Sequence, residues 1–131
     1  MKVRSGHIRF ERKVQYKNLA GVFKTLYLKF LEESGQMPED PEVVAVLLEE
    51  NLRDLRRNRK PEGFNREGPL RLIFPITSRA VEFYVYSRGK SVEVARVTET
   101  LSRLLAKHRL KHTVDWDRMV LYREEKPSSS H

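Results

Sequence analysis

Cysteine is absent from this chain of 131 residues, which removes disulfides, thiolate metal sites and cysteine nucleophiles together. A thiol-free chain fits a reducing compartment. No stretch approaches the about 18 consecutive apolar residues that a membrane-crossing helix needs. The segment Met1 to Phe10 carries basic residues with no apolar run behind them, so it does not read as a secretion signal. These absences predict a soluble, cytoplasmic protein with no membrane contact. Glycines do not cluster ahead of a helix, as a phosphate-cradling loop requires, and no serine has the neighbours of an activated nucleophile. His108 and His112 share a helical spacing, but no acidic residue recurs where a metal site would need it, and Leu110 to Val114 reads as leaving the helix. Asp115 and Asp117 flank Trp116 as carboxylates in a turn, a pattern that usually solvates a loop. The sequence therefore predicts a protein that is not an enzyme and holds no cofactor and no metal.

What the chain has in quantity is charge: 34% of its residues, with 26 Lys and Arg against 18 Asp and Glu, for a net +8. Such an excess favours a polyanionic partner without specifying which. The charge is also segregated. An acid-only stretch from Glu32 to Glu50 runs into the basic run Arg53, Arg56, Arg57, Arg59 and Lys60. Helix dipoles select acids at a helix start and bases at its end, so part of this segregation is structural in origin. The Arg-rich, cysteine-free composition also suits a thermophilic source.

A hydrophobic fraction of 39% spread along the chain predicts one α+β domain over residues 1–124, followed by a disordered tail at 125–131 with three consecutive serines. From Val3 to Val14 the chain reads as a half-buried strand, Ile8 and Phe10 alternating against His7, Arg9 and Glu11. Leu19, Val22, Phe23, Leu26, Phe30 and Leu31 then recur at helical spacing, with Asn18 as N-cap and Gly35 as stop. Asp40-Pro41 opens a second helix running to Asn58, whose apolar face is Val43, Val44, Leu47, Leu48, Leu52 and Leu55. Pro61 to Pro69 reads as an exposed loop around Phe64 and Arg66. Leu70 to Ile76 is an edge or bulged strand because Pro75 interrupts it, and Thr77 to Arg79 turns the chain into the alternating strand Ala80 to Tyr86. Beyond the turn Ser87 to Lys90, Val92 to Val97 suits either a strand or the start of a helix capped by Ser91 with the stripe Val94, Val97, Leu101, Leu104 and His108. Met119 to Glu124 reads as the last strand.

Taken with the helix, this order is the βαββαβ arrangement of the ferredoxin-like fold with an inserted helix; with the strand, it is a five-stranded antiparallel sheet with three helices. Alternation places Tyr84 and Tyr86 opposite Val81, Phe83 and Val85, flanked by Arg9 or His7 from the first strand. Aromatic rings interleaved with arginine on a sheet face invite comparison with RNA-recognition modules, although Ala80 to Tyr86 lacks that family's basic-Gly-aromatic start and carries Glu82. Two readings stay open. In one, the protein binds RNA or single-stranded DNA through Arg9, Arg53, Arg56, Arg57, Arg59, Lys60, Arg66, Tyr84 and Tyr86. In the other, it is a small adaptor or regulator docking on a larger assembly such as the transcription or translation machinery. There Glu32 to Glu50 would meet a basic partner and Arg53 to Lys60 an acidic one.

Overall fold

Alternation in the strands and three- to four-residue spacing in the helices sort the apolar side chains onto faces that meet in one core. The computed structural model describes residues 3–61, 68–75 and 80–117. Along the chain the elements are β1 (Ser5–Phe10), α1 (Tyr16–Glu33), α2 (Pro41–Arg56), β2 (Arg71–Ile73), β3 (Glu82–Tyr86), α3 (Ser91–Lys107) and β4 (His112–Trp116). The strands form one sheet in the order β2-β3-β1-β4, every neighbouring pair antiparallel. The protein is thus α+β. Ile8 and Phe10 of β1, Leu72 of β2 and Phe83 and Val85 of β3 share their core with Leu19, Phe23 and Leu26 of α1 and Val97, Leu101 and Leu105 of α3. Helix α2 packs on α1 and adds Leu52 and Leu55. No helix among the described residues is long and apolar enough to cross a membrane.

The helix ends refine the sequence reading. Gln15, not Asn18, is the N-cap of α1. Asn18 lies at the third helical position, where its Oδ1 accepts the Gln15 N–H at 2.7 Å, so the helix gains a turn without losing its polar cap. At the other end Gly35 takes φ 68°. The Gly35 N–H donates to Glu32 O at 3.2 Å and the Gln36 N–H to Leu31 O at 2.9 Å, closing the helix as expected of glycine. Asp40 caps α2 as anticipated, accepting the Glu42 N–H at 2.9 Å. That helix stops at Arg56 rather than at Asn58 because Asn58 is left-handed, at φ 58°. The Asn58 side chain then fastens the end of α2 to the start of α1. Its Oδ1 accepts the Lys17 N–H at 3.1 Å and its Nδ2 donates to Gln15 Oε1 at 3.1 Å. On the apolar face of α2, Leu52 and Leu55 are buried, but Val43 is exposed.

Val92 to Val97 lies inside α3, so the four-stranded alternative holds among the described residues. Lys90 rather than Ser91 occupies the cap position of α3. Its buried stripe continues through Leu105, and His108 is exposed, because a straight helix drifts off a strict seven-residue repeat. The largest correction is at Asp115 and Trp116, where a turn is expected: a strand occupies His112 to Trp116, and its Thr113 and Asp115 pair with Arg9 and His7. The flanking aspartates masked the alternation. Asp117, also left-handed, accepts the Arg4 and Ser5 N–H groups on Oδ1 at 2.8 and 3.2 Å. Met119 to Glu124, the tail at 125–131, Phe64, Arg66 and Thr77 to Arg79 lie outside the described residues.

The second face of the sheet is also different from expectation. Glu82 and Tyr84, assigned to a half-solvated surface, are buried, as are Ser5 and His7. The Tyr84 ring stacks on His7 at 4.8 Å with 24° between planes, and His7 Nε2 and Ser5 Oγ hydrogen-bond at 2.8 Å. A period of two assigns residues to faces but does not say whether the second face meets water.

Burial of these phenols has a consequence in alkali. Desolvation, with smaller contributions from Tyr86 and Glu82, pushes the Tyr84 phenol up and outweighs the lowering field of Arg71. Burial and Glu82 push Tyr16 up as well. A raised folded-state value means that the associated stability is complete below about pH 10, the ordinary tyrosine range, and is lost as pH rises beyond it. Phenolate absorbance of the native protein is therefore expected to show part of its five tyrosines ionising late. Tyr84→Phe should remove one late titrant and make the alkaline loss of stability shallower; an unchanged titration curve would contradict this.

Candidate functional site

Strand β3 ends at Tyr86 and α3 begins at Ser91, so the four residues Ser87 to Lys90 must turn the chain at one corner of the sheet. Ser87 holds that corner: its N–H donates to Arg4 O at 3.1 Å, and its Oγ accepts the Lys90 N–H at 3.2 Å. On the neighbouring strand Arg71 is the register partner of Tyr86, which puts guanidinium and phenol side by side on one face. The result is a cleft of about 540 Å³ whose described lining includes Arg71, Tyr86, Arg88 and Lys90, with Gly68 and Gly89 keeping its wall low.

The electrostatics of this cleft are one-sided. No carboxylate lines it among the described residues. Among the described residues Arg71, Arg88 and Lys90 make no ion pair, whereas Arg9, Arg56, Arg59 and Arg96 are tied to acids. Glu93, in the first turn of α3, lies in the field of Lys90 but is committed to Arg96. The Arg96 hydrogen bond, with lesser help from the fields of Arg96 and Lys90, holds that carboxyl below its ordinary value. Arg96 in turn donates to Glu33 Oε1 at 2.9 Å and Glu33 O at 2.7 Å, locking the end of α1 to the start of α3. Tyr86 is half-buried, so part of its ring remains accessible beside three unneutralised cations. Chemically, the cleft offers an aromatic surface and donors for an oxyanion.

The residues singled out from the sequence do not form one surface. Tyr86 lies in the cleft, but Tyr84 is buried against His7. Arg9 is four residues along β1 from the Tyr86 register position, about 13 Å away at the usual strand rise. There its Nε lies 3.9 Å from Glu82 and its Nη1 3.7 Å from Asp115. The basic end of α2 is joined through Asn58 to the start of α1, whereas the cleft adjoins the start of α3, which Arg96 ties to the end of α1. The length of α1, 18 residues or about 27 Å, separates them. That basic run is also partly neutralised, with Arg56 3.2 Å from Glu49 and Arg59 3.8 Å from Asp54; Arg53 and Arg57 are exposed and Lys60 is half-buried. Arg66 lies outside the described residues.

Arg71, Arg88 and Lys90 were not singled out from the sequence. The run Arg88-Gly89-Lys90 before a helix was the available signal, but Arg71 joins it only through strand pairing. His108 and His112 separate, one at the end of α3 and one in β4. His112 instead bridges elements: its Nε2 lies 2.6 Å from Ser102 Oγ, and its Nδ1 lies 2.8 Å from Leu110 O. No family model, no curated protein and no solved structure matches this chain, so the chemistry of the cleft rests on its own residues.

Proposed function

We propose that this protein binds RNA or single-stranded DNA without catalysing a reaction, and that the cleft of Arg71, Tyr86, Arg88 and Lys90 is its main contact. One observation carries this reading: three cations with no carboxylate partner among the described residues surround an accessible tyrosine. Phosphates would take the cations and an unstacked base the ring, a combination that tolerates many sequences and suits single strands. Duplex DNA offers phosphates but no free base. Within this reading the sheet is ferredoxin-like with α2 inserted, which the order β2-β3-β1-β4 and its antiparallel pairs support. Because Tyr84 is stacked on His7, the contact lies at a corner of the sheet and not across its face.

Fluorescence anisotropy of labelled single-stranded RNA, single-stranded DNA and duplex DNA tests the proposal. With three phosphates contacted, single-strand affinity is expected to fall about twentyfold between about 50 and 200 mM salt. The triple charge reversal Arg71→Glu, Arg88→Glu, Lys90→Glu should abolish binding, while reversal of Arg53 and Arg57 should leave most of it. Wild-type affinity in the triple variant would sink the reading.

A second reading, docking on a protein assembly, is favoured by one feature. Met37, Val43 and Val46 are exposed within the acid-only stretch, beside a small cavity of about 160 Å³ lined in part by Val43, Leu47 and Leu70. An apolar patch rimmed by acids suits a basic partner with apolar anchors. Absence of binding to all three nucleic acids at about 50 mM salt would make this the better reading.

A further inference from the structure

The opposite end of the sheet holds a separate cavity of about 690 Å³, within the about 300–1,000 Å³ common for small-molecule sites. Phe10, Ala106 and Leu110 give it an apolar wall, and Arg109 and Lys111 stand on its lining. Glu11 is the one carboxylate among the described lining residues, and neither Arg109 nor Lys111 makes an ion pair among the described residues.

Arg109 is further distinguished by its backbone. Three non-glycine residues among those described have positive φ: Asn58, Arg109 and Asp117. For Asn58 and Asp117 the side chain explains the conformation, since Asn58 accepts one backbone N–H and Asp117 two from another part of the chain. Arg109, at φ 61°, ends α3 at a position where glycine is the usual occupant: its N–H donates to Ala106 O at 3.0 Å, and the next N–H, of Leu110, to Leu105 O at 3.1 Å. Its guanidinium makes no hydrogen bond among the described residues that would repay this conformation. A long cationic side chain kept at a left-handed position on the wall of an apolar cavity points to a ligand.

We propose that this cavity binds a small molecule with an apolar body and an oxyanion head, carboxylate or phosphate, the head held by Arg109 and Lys111. The site is independent of the nucleic-acid cleft. Arg9, also on the lining, faces Glu82 at 3.9 Å and Asp115 at 3.7 Å, and both ring nitrogens of His112 are occupied. This leaves the other two cations for the head.

The probe is 8-anilinonaphthalene-1-sulfonate, an apolar aromatic body with an oxyanion, titrated by fluorescence beside its uncharged analogue N-phenyl-1-naphthylamine. The wild-type protein is expected to bind the sulfonate more tightly than the neutral dye. Arg109→Gly should weaken the sulfonate by about tenfold or more, the usual effect of losing a charge-assisted contact. Its melting temperature should hold or rise, because glycine relieves the left-handed backbone. Ala106→Trp, at an exposed position of α3, should fill the cavity and exclude both dyes while both cations remain. Unchanged affinity in Arg109→Gly, retention of the sulfonate in Ala106→Trp, or equal affinity for the two dyes would each overturn the proposal. So would loss of dye binding in the Arg71, Arg88, Lys90 reversal, which should leave this cavity untouched.

Discussion

Replacing Phe83 with alanine is expected to remove about 3–5 kcal/mol of folding stability, a large part of the roughly 5–15 kcal/mol that holds a domain together. Phe83 is fully buried in β3. Its ring meets Phe74 at 5.5 Å and Phe10 at 6.1 Å, and Ile8 faces it in register. Removing the ring leaves a void walled by two other rings and by strands that pair on both sides, so collapse around it is restricted. Urea unfolding followed by circular dichroism measures the loss, and Phe83→Leu should recover much of it because it keeps most of the volume. A loss below about 1 kcal/mol in Phe83→Ala would show that the core closes over the gap, contrary to this account.

Gly6→Ala is the second large effect. A methyl group at Gly6 would lie 2.2 Å from Thr98 Oγ1, 2.7 Å from Thr98 Cγ2 and 2.8 Å from Thr98 Cβ. Strand β1 pairs with β3 and β4, and Thr98 lies on the buried side of α3, so neither backbone can retreat easily. Overpacking of this kind costs about 1–3 kcal/mol, and the shortness of these contacts puts Gly6→Ala toward the upper end. Thr98→Ala removes Oγ1 and Cγ2 but leaves Cβ, so combining it with Gly6→Ala should recover part of the loss. Alone, Thr98→Ala should cost little, since the hydroxyl it deletes is buried with no hydrogen-bond partner among the described residues. The thermodynamic cycle should therefore show strong non-additivity. Additive losses would mean that the two residues do not press on each other.

The strand assignments show how far local pattern reaches. Helix α2 was legible to within two residues because its start is written in adjacent positions, Asp40 and Pro41, and because apolar spacing is a local property. The choice at Val92 to Val97 was not local. The segment suits either period, and burial of Val94 and Val97 against the sheet decides it. Strand β4 is hidden from local pattern for a related reason: Asp115 has turn character by composition, yet in the sheet it pairs with His7 and lies beside Arg9.

The candidate sites were less legible than the fold. Arg53 to Lys60 drew attention because it is contiguous, but contiguity on a helix brings acids within reach, and Glu49 and Asp54 pair with Arg56 and Arg59. The cleft cations come from two elements: Arg71 from β2, and Arg88 and Lys90 from the turn after β3. Only strand register makes them neighbours. Tyr84 and Tyr86 share one alternation, and that period does not tell the buried ring from the accessible one.

Composition and local spacing are enough to specify the charge excess, the absence of thiol chemistry, the α+β class, and the positions of α1, α2 and β3 to within a few residues. Each depends on composition or on spacing along a few turns of chain, and local physics is enough to read it. Tertiary structure alone decided which cations remain without acids, which tyrosine stays accessible, and that Arg109 is held left-handed beside a cavity. Those outcomes depend on contacts between residues far apart in the chain, where burial and pairing override the preference of any single segment.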